Sequence, residues 1–566
     1  MKNMKVATIL YEVADLLEMK EEKFKPRAYR KAAGTVESLS KPIEELNQEE
    51  LTKLPGVGKS IAEKIEEIIE TDSLEYYENL KKEFAIDFES LHFVEGLGPK
   101  KIKRFYDELG VVDLDDLERA AKQHKIREME GMGEKTEQNI LENIEFARKK
   151  TGRKLLGYIL PIAEQLKEKL KSFKPVLKVE IAGSIRRMKE TIGDIDILVV
   201  TKENEKVMDF FTGLENVDKV ILKGPSKSTV RLSDDIESDL RVINEESFGS
   251  ALLYFTGSKE TNIELRKVAI NQGLKLNEYG LFKDNEQIAG KAEQEIFQKL
   301  GMNYIEPELR ENRGEVKAAL EGNIPKLIGY KDLKGDLQMH TTWSDGSYTI
   351  DEMAEKAREL EHEYIAITDH VGTLRIARGM NENKIRHQMK EIENINGEIN
   401  GITILKGAEV NIMSDGKLDM SNDILKDLDV VVASIHSGFR QTEEKITDRM
   451  MAAMYNDNVN IIAHPTGRKI HERKAYELDM DKIFETSKDT ATFLEINSYP
   501  NRLDLNDINV KRAVESGCKL SIDTDSHSKA NLKHIKLGIA TARRGWAKKE
   551  DIINTLPLKK LKKLLS

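Results

Sequence analysis

The stretch GSIRRMKETIGDIDILVV, residues 183–200, decides the fold of the central part of this chain. Its second half is β-rich, and Asp194 and Asp196 stand two positions apart there, so both carboxylates face the same side of one strand. A later strand-like run, ESDLRVI, carries Asp239 as a third acid. Three acids on neighbouring strands can share divalent cations, which is the arrangement that two-metal phosphoryl transfer requires.

The glycine turn before this strand predicts a binding site for a triphosphate. Ser184 and Arg187 come from that turn, and hydroxyl and guanidinium groups suit phosphate oxygens. In two-metal transfer one metal ion lowers the pKa of a 3′-hydroxyl and the other neutralises the leaving pyrophosphate. A D-x-D pair alone is common on edge strands, where both acids are simply solvated. The glycine turn upstream and the third acid downstream make a solvated edge strand a poor fit here.

Length and composition place this stretch within a large soluble protein. The chain has 566 residues, 39% hydrophobic and 34% charged, which predicts several globular domains. A lone cysteine, Cys518, favours a reducing cytosol, and no apolar run approaches the roughly 20 residues of a membrane helix. The net charge of −10 argues mildly against a nucleic-acid partner, yet basic residues cluster at 20–31 and 100–104.

The apolar patterning changes twice along the chain. Helical spacing from residue 1 to about 148 predicts an all-helical part, and short β-rich runs from Val176 predict an α+β module. After Pro325, strand-like runs alternate with helical ones, which predicts a parallel sheet or barrel. The segment NRGEVKAALEGNIPKLIGYKDLKGD is the predicted linker.

A short motif occurs three times in the helical part, as LPGVGKSIA (54–62), VEGLGPKKI (94–102) and MEGMGEKTE (129–137). Each copy has two glycines that permit a tight turn, followed by a helix whose first N–H groups can hold a phosphate. One copy could be an ordinary interhelical turn. Three copies resemble helix-hairpin-helix motifs, which bind the DNA backbone without reading bases. The predicted DNA-binding residues are Gly56, Gly58, Lys59, Gly96, Gly98, Lys100, Gly131 and Gly133.

The run YFTGSKETNIELR (254–266), followed by NEYG (277–280), makes a family resemblance specific. Together with the turn and the three acids, in this order, these motifs resemble the family X DNA polymerases over residues 1 to about 320. The resemblance implies DNA-templated addition of deoxynucleotides, with Mg²⁺ or Mn²⁺ at the acids and Asp239 as the activator of the primer hydroxyl. The implied nucleotide-binding residues are Gly183, Ser184, Arg187, Gly193, Tyr254, Phe255, Gly257, Asn262 and Arg266.

These implied residues have separate roles in the family. The aromatic pair at 254–255 resembles the one that lies under the sugar and discriminates against ribose. Asn262 and Arg266 match the residues that check the minor groove of the new base pair and template.

The first hairpin also resembles the lyase domain of this family. Lys64 falls on the position of its Schiff-base lysine, which implies catalysis at an abasic site. The sequence departs from the pattern at Ser60, where the family has a second lysine that stands here one position earlier, and at Phe24, which replaces a histidine. Most lysines on helices are only solvated, and that alternative stays open.

Histidines and acids collect at the ends of the strand-like runs in the C-terminal region. Side chains at the strand ends of a βα barrel converge on one rim, where imidazoles and carboxylates form a site for zinc or manganese. The region from about residue 334 to 544 resembles the PHP (polymerase and histidinol phosphatase) domain, a seven-stranded βα barrel that holds up to three metals and hydrolyses phosphoesters. The implied metal ligands are Gln338, His340, Asp345, His370, Glu409, His436, His464, Asp525 and His527.

Gln338 departs from the usual His-x-His of the first PHP motif. An amide oxygen is a neutral and weaker ligand than imidazole, so one metal is expected to bind loosely. Arg378 and Arg468 lie just past ligand loops and are predicted to meet substrate phosphates, with solvated loop arginines as the alternative.

Both resemblances cover nearly the whole chain and imply a PHP-containing family X polymerase of bacteria or archaea. They imply gap filling in base excision repair and a 3′-5′ exonuclease, acting as a cytoplasmic, nucleoid-associated monomer on gapped or primer-template DNA with dNTPs. Up to three Zn²⁺ or Mn²⁺ are implied in the barrel. Two alternatives remain open: a barrel that is a phosphatase on small molecules or pyrophosphate, and a non-catalytic DNA scaffold.

The predicted fold is multidomain, with all-α helix-hairpin-helix domains, an α+β nucleotidyltransferase palm with a thumb, and a C-terminal (β/α)7 barrel. The predicted boundaries are 1–82 for the lyase-like domain, 83–150 for the second hairpin domain, 151–248 for the palm, 249–318 for the thumb, 319–333 for the linker and 334–566 for the barrel.

Overall fold

In a computed structural model of the chain, the described residues are 2–37, 39, 43–71, 73–84, 86–87, 90–91, 94, 97–150, 153–374 and 377–565. They belong to two compact units. The first unit comprises residues 1–151 with 469–474, and the second comprises residues 152–468 with 475–566. No described helix is both long and apolar enough to cross a membrane.

The first unit is built from helices, as its apolar spacing predicts. The helices described there are α1 (Lys2–Met19), α2 (Lys25–Glu37), α3 (Gln48–Lys53), α4 (Lys59–Thr71), α5 (Glu75–Glu83), α6 (Pro99–Leu109), α7 (Leu114–Lys122) and α8 (Glu134–Lys150). In α4, Ile61, Ile65 and Ile68 recur at helical spacing and are buried in a core shared by the unit's helices.

The second unit begins with the α+β module. Its elements are β1 (Lys154–Leu155), α9 (Leu156–Ser172), β2 (Val176–Ile181), α10 (Gly183–Arg186), β3 (Thr191–Ile192), β4 (Asp194–Thr201), α11 (Asn204–Thr212), β5 (Val217–Lys223), β6 (Lys227–Leu232) and β7 (Ile236–Val242). The strand order is β2-β4-β7-β6-β5, with β4 and β7 parallel. The apolar part of β4, from Ile197 to Val200, is buried and fixes this strand inside the sheet.

Helices and a three-stranded antiparallel sheet follow in the thumb region. They are α12 (Phe248–Thr256), α13 (Lys259–Asn271), β8 (Leu274–Asn277), β9 (Gly280–Lys283), β10 (Glu286–Ala289), α14 (Glu293–Lys299) and α15 (Glu315–Leu320). The predicted linker is packed, because Leu327 and Ile328 are buried and the Ile328 N–H donates to the Ala547 carbonyl at 3.0 Å. Its apolar residues therefore attach the thumb to the barrel.

The C-terminal region alternates strands and helices. The elements are β11 (Gly335–Asp336), α16 (Ile350–Glu359), β12 (Tyr364–Ile367), α17 (Glu382–Glu398), β13 (Thr403–Asn411), α18 (Asn422–Leu425), β14 (Val430–Ser434), α19 (Glu443–Met454), β15 (Ile461–Ile462), α20 (Met480–Thr490), β16 (Phe493–Asn497), α21 (Asp507–Glu515), β17 (Leu520–Asp523), α22 (Ile535–Arg544) and α23 (Leu558–Leu565). Strands β11 to β17 pair in parallel and in chain order. Just past β11 and β17, Met339 pairs with Ser526, so the first and last strands meet. The predicted (β/α)7 barrel is confirmed.

Candidate functional site

The three acids of the α+β module lie side by side on two parallel strands. In the register of β4 and β7, Asp196 is directly opposite Asp239, and Asp194 precedes Asp196 on the same face of β4. Gly183 has a φ of +62°, and a Cβ on it would lie 2.3 Å from Oδ2 of Asp196. Glycine is therefore required where the turn approaches the acids.

Crowding of the carboxylates changes their protonation. Burial, and then the charges of Asp194 and Asp239, raise the pKa of Asp196 to about 7. Burial and Asp239 also raise the pKa of Asp194. Asp239 accepts a hydrogen bond from the Thr229 hydroxyl at 2.5 Å and lies 2.7 Å from Nζ of Lys227. The three carboxylates repel one another unless a cation lies between them. Carboxylate oxygens are also the ligands that Mg²⁺ and Mn²⁺ prefer, so this set of acids fits the implied metals.

A cavity of about 540 Å³ opens beside the acids and gathers most of the predicted nucleotide-binding residues. Its lining includes Gly183, Ser184, Arg187, Asp194, Asp196, Tyr254, Phe255, Gly257, Asn262 and Arg266. Arg153 also lines it, and no motif predicts this residue. Its Nε donates to Oγ1 of Thr191 at 3.0 Å, and its Nη1 would lie 3.1 Å from a Cβ on Gly193. Gly193 thus leaves room for a guanidinium at the cavity wall.

The aromatic pair and the predicted minor-groove residue form one connected group. The rings of Tyr254 and Phe255 meet edge to face, with centroids 5.1 Å apart. Nδ2 of Asn262 donates to the Tyr254 carbonyl at 2.7 Å, and the Arg241 guanidinium lies 4.7 Å from the Phe255 ring centroid. The end of α12 and the start of α13 are therefore tied together at the cavity.

The three hairpins share one backbone geometry. The carbonyls of Gly58, Gly98 and Gly133 each accept the N–H groups of the residues three and four positions later, at 2.9 to 3.1 Å. Each of these glycines therefore stands directly before a helix whose first N–H groups have no intrahelical acceptor. An added Cβ on any of the three would meet no described atom within 4 Å, so the chain leaves space there.

The first glycines of the hairpins serve the turn itself. Gly56 and Gly131 have φ values of +86° and +73°, a region that favours glycine. Gly96, the corresponding residue of the second hairpin, lies outside the described residues.

The helices that follow the hairpins differ in charge. Lys59 begins α4 and Lys100 is the second residue of α6, whereas α8 begins with Glu134. An acid at a helix N-terminus occupies the position that favours an anion. The first two hairpins are therefore better suited to phosphate than the third.

Lys64 lies on α4 beside polar and aromatic neighbours. Its Nζ donates to Oγ of Ser60 at 3.1 Å and lies 5.0 Å from the centroid of the Tyr76 ring. Phe24, at the position of the family's lyase histidine, is 84% exposed. These contacts are compatible with a solvated lysine as well as a reactive one, so the lyase role stays a prediction.

The predicted barrel ligands meet at the strand ends. Three overlapping groups have one donor atom per residue within 4.8 Å of the others: His340, Asp345, His370 and His527; His370, Glu409 and His436; and His340, Glu409 and Asp525. Nε2 of His464 lies 3.4 Å from Oε1 of Glu409, which connects it to the second group. The strands therefore bring eight of the nine predicted ligands into one cluster.

Several donor atoms in this region are buried without a hydrogen bond to a described residue. They include Nδ1 of His340, Nδ1 of His464 and the amide oxygen of Gln338. Burial lowers the pKa of His370 and of His464 to about 4, so their rings are neutral at pH 7 and can donate a lone pair. Buried polar atoms are usually satisfied, and a metal ion satisfies such nitrogens. The donor set fits a zinc or manganese cluster.

Residues behind the ligands hold them in place. Oε2 of Glu495 accepts the backbone N–H of His464 at 2.6 Å, and Nδ2 of Asn497 donates to Oδ2 of Asp525 at 3.1 Å. Asn497 ends β16 and Glu495 lies two positions earlier on the same face, so the strand-end pattern that indicates the histidines would also indicate Asn497.

The two predicted phosphate arginines differ in their surroundings. Arg378 is exposed, as a loop arginine that meets a substrate would be. Arg468 is not placed as expected, because its guanidinium donates to the Glu190 carboxylate at 2.7 Å and to the carbonyls of Arg502 and Leu503 at 2.8 and 2.6 Å. Nε and Nη2 of Arg468 are therefore directed at protein acceptors rather than at a substrate phosphate.

The fold and both clusters define a nucleotidyltransferase palm joined to a PHP-type metal-dependent barrel. Family models agree along the chain: a helix-hairpin-helix domain matches residues 1–74, a SAM-like helix-hairpin-helix tandem 88–145, the DNA polymerase beta palm 159–241, the DNA polymerase beta thumb 251–311, and the PHP domain 336–499.

Three similar proteins match this chain over different lengths. The chain is 38% identical to the DNA polymerase/3′-5′ exonuclease PolX of Bacillus subtilis over 565 residues, which cover 99% of this chain and 98% of that protein. It is 30% identical over 231 residues to a probable phosphatase of Thermoanaerobacter pseudethanolicus, covering 39% of this chain and 89% of that protein. It is 24% identical over 347 residues to DNA polymerase lambda of Rattus norvegicus, covering 55% and 56%. The chain belongs to the family X DNA polymerases that carry a C-terminal PHP domain.

Proposed function

We propose that this chain adds deoxynucleotides to primer ends at short gaps in DNA and removes 3′-terminal nucleotides at its barrel, acting as a monomer. The observation that carries the proposal is the register of β4 and β7, which puts Asp196 opposite Asp239 beside a cavity with the predicted nucleotide-binding residues. The full-length similarity to a polymerase/exonuclease supports both activities.

At the palm, Asp194, Asp196 and Asp239 would hold Mg²⁺ or Mn²⁺. When bound, such ions neutralise negative charge on the triphosphate and on the attacking hydroxyl oxygen. The protein's own groups position the nucleotide, with Ser184 and Arg187 at the phosphates. Tyr254 and Phe255 would support the sugar, and Asn262 and Arg266 would contact the minor-groove side of the new pair.

At the barrel, the histidine and carboxylate cluster would hold Zn²⁺ or Mn²⁺, with Gln338 as the weakest donor of a third ion. When bound, these ions supply the Lewis acidity that phosphodiester hydrolysis needs. Neutral His370 and His464 are ready to coordinate, and Glu495 fixes the backbone next to His464 through its 2.6 Å hydrogen bond.

Reciprocal variants test the two activities in the full chain. Asp196→Asn should abolish extension of a primer on one-nucleotide gapped DNA but leave digestion of a labelled single strand within about twofold, because the clusters use different residues. Glu409→Gln should do the opposite. Asp209→Asn is the control, since this palm aspartate is exposed and pairs only with Lys223 among the described residues. Undiminished extension by Asp196→Asn would remove the palm assignment.

A phosphatase role for the barrel is the second candidate, and the similarity to the probable phosphatase favours it. The wild-type chain can be given p-nitrophenyl phosphate and a 3′-labelled primer in parallel, over Mg²⁺, Mn²⁺ and Zn²⁺. Release of single nucleotides supports the exonuclease. If the chain hydrolyses the small ester but releases no nucleotide, and if Glu409→Gln loses this hydrolysis, the barrel is a phosphatase and not an exonuclease.

A further inference from the structure

The segment 183–190, here called the phosphate loop, connects β2 to β3 and carries Ser184 and Arg187. Two arginines of the barrel contact it, the buried Arg544 and the partly buried Arg468. Neither arginine belongs to the predicted ligands of the two metal clusters, and each contacts both the loop and other residues of the barrel.

Arg544, the last residue of α22, is 5% exposed in its side chain and reaches the middle of the loop. Its Nη1 donates to the Arg187 carbonyl at 2.7 Å and to Oε1 of Glu311 at 3.1 Å. Its Nε and Nη2 both donate to Oδ2 of Asp507, at 3.0 and 2.6 Å. A buried guanidinium with so many donors engaged is held in one orientation.

Glu311 transmits this position to the side chain of Arg187. The same Oε1 that Arg544 contacts also accepts from Nε of Arg187 at 2.9 Å. Nη1 of Arg187 donates in addition to the Thr256 carbonyl. Although burial opposes ionisation, the charges of Arg544 and then Arg187 lower the pKa of Glu311, so it is a carboxylate. Arg187 is thus oriented by an acid that the barrel itself holds.

Arg468 contacts the far end of the loop. Its Nη2 lies 2.7 Å from Oε2 of Glu190, and the same guanidinium binds the carbonyls of Arg502 and Leu503. The Glu190 carbonyl in turn accepts the N–H of Leu156 at 3.0 Å. The loop is therefore anchored to the barrel at its middle and at its end.

We propose that Arg544 and Arg468 are positioning residues for nucleotide binding at the palm, so that the barrel supports polymerisation mechanically and independently of its metals. This inference rests on the proposed role of Ser184 and Arg187 in triphosphate binding. A guanidinium must be aligned with the phosphate oxygens before it binds them well, and an alignment fixed in advance improves affinity. Loss of either anchor should therefore weaken triphosphate binding more than turnover.

The test measures single-nucleotide gap filling by the full chain, with a phosphorothioate primer end that resists digestion. Arg544→Ala and Arg544→Lys should each raise KM for dNTP by about tenfold or more, with a smaller change in kcat. The inhibition constant of inorganic tripolyphosphate should rise in parallel, because this probe has no base or sugar. Lysine keeps the charge but cannot reach Arg187, Glu311 and Asp507 at once.

Lys536→Ala is the matched control. Nζ of Lys536 lies 2.5 Å from Oε1 of Glu164, so this pair also joins barrel to palm, but it is about half exposed and far along the chain from the loop. Its removal should leave KM for dNTP within about twofold. Arg468→Lys keeps a cation that can pair with Glu190, so it should lose less affinity for dNTP than Arg468→Glu, which places a carboxylate against Glu190 and the carbonyls of Arg502 and Leu503.

Unchanged KM and unchanged tripolyphosphate inhibition in folded Arg544→Ala and Arg468→Glu would overturn the inference. If Arg544→Ala does not fold, the KM values of Arg544→Lys and Glu190→Gln test the inference instead. Glu190 is 39% exposed, so removing its charge should cost little stability. Failure of the proposed function looks different, because the wild-type chain itself would then add no nucleotide.

Discussion

Asp196→Asn should stabilise the metal-free protein at alkaline pH while it removes polymerisation. Burial and two neighbouring carboxylates raise the pKa of Asp196 to about 7 from a usual 3.8. Because the folded state then favours the protonated carboxyl, the stability linked to this group is present below pH 3.8 and is lost as pH rises through about 7. Above that pH, ionised Asp196 destabilises the fold.

The shift in the pKa of Asp196 corresponds to a loss of at most about 4 kcal/mol in the free energy of unfolding at about pH 8. We expect a smaller loss, about 1–3 kcal/mol, because the protein relaxes around the ionised carboxylate and water reaches it, which lowers the cost of burying the charge. Asparagine has the same shape without the charge. The variant's Tm in EDTA should therefore exceed that of the wild type by about 2–8 °C near pH 8, and the two should agree near pH 4.

Thermal unfolding of the full chain, followed by calorimetry at both pH values, measures this difference. Mg²⁺ should raise the Tm of the wild type more than that of Asp196→Asn, because the ion binds the folded carboxylates. The exposed Asp209→Asn should change Tm little at either pH. A variant that is less stable than the wild type in EDTA at alkaline pH would refute the reasoning, since the acids would then not repel one another.

Three further predictions concern the other sites. His436→Ala should lose phosphodiester cleavage by a factor of about 10² or more but keep gap filling, as measured on labelled primers, because it removes a barrel ligand only. Gln338→His should lower the Mn²⁺ or Zn²⁺ concentration for half-maximal cleavage and raise bound metal, because imidazole is the stronger donor; equal metal dependence of both proteins would contradict this. Gly58→Val or Gly98→Val should weaken binding to gapped DNA of any sequence in fluorescence anisotropy, and Gly133→Val should weaken it less, because α8 starts with an acid.

Much of the fold follows from local patterning. A period of two residues puts Asp194 and Asp196 on one face, and repeated glycines before helices indicate the hairpins. The alternation of strand-like and helical runs predicts the barrel, and the histidines could be grouped because the strands of such a barrel end at one rim. The signals for the acids and the hairpins lie within a few residues of the chain, and the barrel signal is a local pattern that repeats along it.

Distant contacts were not predictable in this way. Arg153 carries no motif and reaches the nucleotide cavity only through the fold. Arg468 follows a ligand loop, which suggested a substrate contact, but its nearest acceptors include Glu190 of the palm. A long side chain can turn to either side of its loop, so spacing along the chain does not determine its partner.

The amino-acid sequence by itself determined which residues this protein can use: three acids and a Gly-Ser turn for one site, a histidine and acid set for another, and the hairpins. Those assignments depend on local periodicity and on the chemistry of each residue type. Only the tertiary structure decided that Asp196 faces Asp239, that Gly183 touches Asp196, and that Arg544 reaches the phosphate loop. Strand register and helix packing depend on contacts between residues far apart in the chain, which no local pattern encodes.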